Sequence, residues 1–306
     1  MNWNWALDGW IVLTGMLCAV AAAIPGNFLV LRRMSLLGDA ISHAVLPGLA
    51  AAFLISGSRN SWPMFVGAVL AGILTAFLTE WIRRVGRVDQ GASMGVVFTS
   101  LFALGLVMIV QAADAVDLDP GCVLYGALEL TPLDTVSVAG LKIPQAVLTL
   151  GSVLLLNAVC VIIFWKELTI AAFDPQLADT MGISSRLMHY LLMILVAITA
   201  VASFESVGNI LVVAMFVAPP ATAFLLTRRL PIMILISIGV AIVSAVGGHL
   251  SAITLPSVWG YQSTSTAGMM AVMSGVCLMF AVLLEPEQGL LWRGFRYLKS
   301  SMQQVH

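Results

Sequence analysis

The chain has 306 residues, 60% of them hydrophobic and only 9% charged, with a net charge of −1 and a mean hydropathy of +1.02. So few charges cannot cover the surface of a soluble domain, so the composition requires an integral membrane protein. The charge balance and the lack of a basic cluster exclude nucleic acid as a partner. The four cysteines (Cys18, Cys122, Cys160, Cys277) have no CxxC or Cys/His zinc spacing, and three of them lie in apolar runs as small core residues.

The N-terminal "MNWNWALDG" lacks the positive charge of a signal peptide and leads into a long apolar run, so it reads as a retained first span. A bilayer needs roughly 20 apolar residues per helix. Nine stretches qualify: 10–31, 35–56, 62–82, 91–112, 144–165, 187–204, 207–227, 230–252 and 265–284. The expected fold class is therefore an all-α polytopic transmembrane helical bundle of about nine spans, eight to ten, forming one domain over residues 1–306. With the N-terminus outside, the inside loops hold Arg32, Arg33, Arg83, Arg84, Arg87, Lys166, Arg186, Arg228, Arg229, Arg293, Arg296 and Lys299. The outside keeps only Arg59 and Lys142. That asymmetry predicts an outside N-terminus and a cytoplasmic C-terminus. The tryptophans fall at or near the span ends, as an aromatic belt requires.

Within the second stretch, "RRMSLLGDAISHAVLPG" (32–48) carries Asp39 and His43 four residues apart. On a helix they share one face, about 6 Å apart along the axis. Pro47 has no N–H to offer the carbonyl of His43, which predicts a break in the helix there. Carboxylate, imidazole and a freed carbonyl at one level make a plausible cation site, because ionisable groups inside a span normally face a cavity or the bundle interior. The alternative is an Asp–His hydrogen bond that only fixes helix packing. Gly91 and Gly95, by their spacing, suit close helix packing.

Further along, residues 113–143 form an acidic outside loop (Asp114, Asp117, Asp119, Glu129, Asp134), able to attract cations or a binding protein, or simply rich in turns. In the inside loop, "FDPQLADTMGI" (173–183) reads as a short helix with Asp174 as N-cap, Pro175 at its first position and Gly182 at its end. His189, just beyond it, reads as interfacial. Glu205, in "SFESVG", and His249, in "GGHLSA", lie near the outer face and are candidates for a gate or secondary path, with a wet turn or plain packing as the alternative. Pro219 and Pro220 in "APPA" predict a kink in the seventh span.

The stretch around Asp39 and His43 resembles the signature of permease subunits of ABC importers for zinc, manganese and iron. "DLDPGCVLYG" (117–126), "FDPQLADTMGI", "SFESVGNILVVAMFVAPPATAFLLT" (203–227) and "STAGMMAVMSG" (265–275) follow in the family's order. Near the C-terminus the chain reads "EPEQGLL" (285–291), where such permeases often carry a basic Pro-Arg element. The resemblance implies that Asp39 and His43 line the translocation path and contact the metal, and that two permeases, a second copy or a sister chain, pack around it. It implies a coupling helix over about 173–183, with Phe173, Asp174, Pro175, Leu177, Ala178 and Gly182 facing an ATP-binding subunit. It also implies an extracytoplasmic metal-binding protein and residence in the bacterial cytoplasmic (inner) membrane.

The implied cargo is a divalent ion, with manganese favoured and zinc or iron as the other choices. No cysteine near the pair argues for copper(I). The chain has no GxxxxGK[ST] and no Gly-Lys pair, so ATP must be hydrolysed by another subunit and this chain is not itself an enzyme. No cofactor is expected to stay bound. A carrier driven by an ion gradient and a permease for a metal chelate are the competing readings; an intramembrane metalloenzyme needs a ligand set such as HExxH, which is absent.

Overall fold

The computed structural model describes residues 5–56, 61–112, 128–138, 141–258 and 264–284. Its helices are α1 (Trp5–Leu31), α2 (Leu37–Ala44), α3 (Leu46–Ser56), α4 (Ser61–Gly86), α5 (Gln90–Ala112), α6 (Gln145–Ile163), α7 (Trp165–Phe173), α8 (Pro175–Thr180), α9 (Ser185–Val207), α10 (Asn209–Leu226), α11 (Leu230–Val258) and α12 (Thr266–Leu284). Eight segments are long and apolar enough to cross a membrane, namely α1, the joined α2–α3, α4, α5, α6, α9, α11 and α12. In α10 the apolar stretch Ile210–Leu226 is shorter. Every expected span thus has a helix, and the chain is a multi-pass, all-α membrane bundle.

Helix α1 runs through the middle of one half, against α6, α9, α10 and α11, while α2 to α5 pack together and meet the rest chiefly through α9, with α2 also on α10. The core between them is apolar and fully buried, with Phe28, Leu37, Ile41, Leu192, Met215 and Phe216 among its largest side chains.

Prolines inside spans free carbonyls that a bilayer cannot hydrate, so neighbouring helices must take them up. Pro25 in α1 cannot serve the Ala21 carbonyl. Asn157 of α6 does so instead, donating Nδ2 to Ala21 O at 3.0 Å and to Thr199 Oγ1 at 2.8 Å. At Pro219 and Pro220, where a kink is expected, α10 runs on as one continuous helix. The Phe216 carbonyl, which Pro220 cannot serve, lies against Gly26 of α1, where an added Cβ would come within 2.5 Å of it. The second span does break, but at Val45 rather than at Pro47. Pro47 sits in the first turn of α3, where a missing N–H is harmless, so its steric penalty falls on the residues before it.

Gly91 and Gly95 do not mediate close packing among the described residues. Nothing lies within 4 Å of a Cβ at Gly95, and Gly91 meets only the Asp89 side chain of its own turn. The close crossing is between α3 and α4, where a Cβ on Gly67 would sit 2.6 Å from the Gly48 carbonyl. In the acidic loop, β1 (Thr135–Val138) and β2 (Leu141–Pro144) form an antiparallel hairpin that a helix-only expectation did not foresee. Its β-branched Thr135, Val136, Val138 and Ile143 suit a pleated pair. Residues 113–127 and 285–306, with Asp114, Asp117, Asp119 and "EPEQGLL", lie outside the described residues.

Candidate functional site

Helix α2 is short, about 12 Å, and strongly two-sided. Leu37, Ile41 and Ala44 are fully buried on one stripe, holding the helix to the bundle. Asp39 and His43 occupy another. His43 Nε2 lies 3.3 Å from Asp39 Oδ1, and the two side chains remain 27% and 39% exposed respectively. The imidazole is flanked by Phe98, tilted, and Phe102, edge-on, of α5, each with its ring centroid 5.7 Å away, so two aromatic rings limit its freedom beside the carboxylate. Gly38 lets α2 approach α10: a Cβ there would meet the Phe216 ring at 2.9 Å. The pair is therefore backed by packed apolar groups and open on its other side. Among the described residues no three His, Cys, Asp or Glu side chains gather where they could hold a metal ion. The pair offers one carboxylate and one imidazole; a divalent cation prefers four or more ligands, so an ion seated there would need water or groups of another chain for the rest.

The other sequence candidates separate from this pair. Glu205 lies in the last turn of α9, with its side chain outside the described residues. His249, buried in α11, has Nε2 3.4 Å from Asp8 Oδ1 of α1 and Nδ1 3.5 Å from Thr266 Oγ1 of α12. Glu129 completes that group, accepting from the Thr266 N–H at 2.7 Å. This cluster ties the start of α1, the end of α11 and the start of α12 at one end of the bundle.

At the opposite end, His189 lines a cavity with its side chain only 12% exposed. Its Nε2 lies 3.3 Å from Glu80 Oε2 and its Nδ1 3.3 Å from Arg32 Nη1. Arg32 also donates to the Ala171 carbonyl of α7 at 3.0 Å, and its burial lowers the guanidinium's pKa from its ordinary value. Nothing in the spacing of these residues announced the network, since Arg32 and His189 are 157 positions apart.

The segment after α7 folds as its capping residues demand. Asp174, extended at φ −142°, accepts from the N–H groups of Gln176 and Leu177, both at 3.0 Å, and Pro175 opens α8. Gly182, at φ +79°, ends it: Gly182 N donates to Asp179 O and Ile183 N to Ala178 O, the paired bonds of a Schellman stop. Asp179 then receives the backbone N–H and the hydroxyl of Ser185, which hold its carboxyl below the usual aspartate value. Ala178 is buried beneath this turn, whereas Phe173, Leu177 and Met181 are exposed.

Residues 9–285 match the model of the ABC 3 transport family. The chain belongs to that family. The chain is 43% identical over 301 residues to the manganese transport system membrane protein MntD of Bacillus subtilis (strain 168), covering 98% of this chain and 99% of that one. It is 39% identical over 283 residues to the zinc transport system membrane protein TroD of Treponema pallidum (strain Nichols), covering 92% and 75%. Among solved structures, PsaBC from Streptococcus pneumoniae in complex with Fab matches with a TM-score of 0.74 at 29% identity, over 96% of this chain and 94% of that one. Membership gives the fold and the transport class.

Proposed function

We propose that this chain is the permease subunit of an ATP-driven importer of divalent metal ions, with manganese the favoured cargo. The observation that carries this is the Asp39–His43 pair, 3.3 Å apart on the open stripe of a short, packed helix. One carboxylate and one imidazole per chain, doubled across a dimer of permeases, make a four-ligand O/N set suited to a hard or borderline divalent ion. Relatives named for manganese and for zinc transport support the class of cargo. In the same reading α8 is the coupling helix: its exposed Leu177, with Phe173 just before it and Met181 just after, docks on the ATP-binding subunit, and an extracytoplasmic protein delivers the ion. The N-terminus is outside, the C-terminus is cytoplasmic, and the membrane is the bacterial cytoplasmic one.

The test is uptake by proteoliposomes holding the permease with its ATP-binding subunit. Manganese should accumulate in the presence of an uncoupler and stop when ATP is exhausted. Uptake that follows an imposed ion gradient without ATP would instead make the chain a secondary carrier.

A further inference from the structure

The cavity at the Arg32 end of the bundle is strongly basic. Of about 340 Å³, it is lined by Arg32, Arg33, Arg83, Arg84, Arg186 and His189, with Glu80 as the carboxylate among the described residues on its wall. Glu80 cannot balance five guanidiniums. It is 3% exposed, its Oε1 already accepts from Arg83 (2.8 Å) and from Arg84, and its Oε2 faces His189. Arg186 has a partial counter-charge in Asp179. The Arg33 guanidinium has no hydrogen-bond or ion-pair partner among the described residues, and Arg83 Nε is buried without one. Like charges this close repel within a screening length of about 8–10 Å, so the wall is built for an anion it does not itself supply.

The backbone agrees. Arg33 ends α1 at φ +57°, in the left-handed region, with Arg33 N donating to Val30 O and Met34 N to Leu29 O. Glycine is the residue that such a stop favours, and an arginine there is strained. A strained residue that places an unpaired guanidinium on a cavity wall points to a ligand.

We propose that this cavity binds a phosphate group. Planar guanidiniums match phosphate oxygens two bonds at a time, and a phosphate group has more charge and more acceptor oxygens than a carboxylate with which to meet several of them. The cavity opens where α1, α4 and α9 reach their ends, the level at which the headgroup of an anionic phospholipid lies, and Leu31 and Met34 give it an apolar edge. A divalent cation is repelled here, so the cavity is no exit for the cargo. Bound phosphate would clamp the turn before α2 to the α7–α8 segment through Arg32 and the Ala171 carbonyl.

Thermal unfolding of the purified full-length chain in zwitterionic detergent tests this. The probes are short-chain phosphatidylglycerol, phosphatidylcholine of the same chain length, and inorganic phosphate. Phosphatidylglycerol should raise the midpoint saturably and phosphatidylcholine should not. Inorganic phosphate that competes marks a site open to the free ion as well; lipid alone acting marks the headgroup as the ligand. Arg33→Gly relieves the backbone while removing the charge, so it should fold at least as well as the parent yet bind about tenfold more weakly, with Arg33→Lys between them. No response to either phosphate source, or equal affinities for parent, Arg33→Gly and Arg186→Gln, would overturn the proposal.

Discussion

One amide carries the consequence of a proline deep in the bundle. Asn157 is fully buried and divides its donors between the Ala21 carbonyl that Pro25 leaves open and the hydroxyl of Thr199. Replacing it by leucine removes both bonds and strands a backbone carbonyl in apolar surroundings. Asn157→Leu should therefore lower stability by about 1–2 kcal/mol, read from unfolding of the purified protein in denaturing detergent mixtures; an unchanged transition would mean that Ala21 finds another donor. Gly26→Leu should be worse, since even a Cβ there would press on the Phe216 carbonyl. At this scale the sequence was partly legible. Asp39 and His43 stood out because ionisable groups are rare in apolar runs, and their spacing placed them on one face. Asn157 did not stand out, because a lone asparagine says nothing about which carbonyl, 136 residues away, will need it. The Arg32–Glu80–His189 network was illegible for the same reason.

Elements were easier to read than contacts, because span length and capping chemistry are local. The limits of α8 follow from Asp174, Pro175 and Gly182 alone. The break in the second span was misplaced by two residues because a proline acts on the turn before it, and the hairpin was missed because a short β-branched pair in an acidic loop gives little signal against nine long spans. Two predictions belong here. Gly182→Pro forces φ near −65° where the chain needs +79°, and so undoes the α8 stop. The permease should still insert, while transport-stimulated ATP hydrolysis disappears; normal stimulation would remove the coupling role from α8. The second concerns Asp179, whose carboxyl is held below its ordinary 3.8 by Ser185. Because the folded value is the lower one, the tether is fully present above 3.8 and is lost only as pH falls through the folded value. Coupled hydrolysis by Asp179→Asn should thus show the parent's pH dependence from about pH 5 to 8; a shifted inflection in that window would mean that Asp179 titrates there.

For the whole molecule, the sequence supplied the class of fold and the number of apolar helices, but not how the two halves meet through α9 and α10. Charge asymmetry predicts the orientation: a reporter fused after His306 should be cytoplasmic and one inserted in 113–143 exported, and both on one side would break the nine-span topology. The central claim is that the ion crosses between two Asp39–His43 pairs. Uptake of manganese per folded permease in the membrane, measured for Asp39→Ala and His43→Ala, tests it most directly. Both side chains are partly exposed and contribute little to the core, so each variant should fold and assemble yet lose nearly all uptake, because too few ligands remain to replace the ion's water. Near-normal uptake per folded molecule by either variant would contradict the account and leave the pair a packing device.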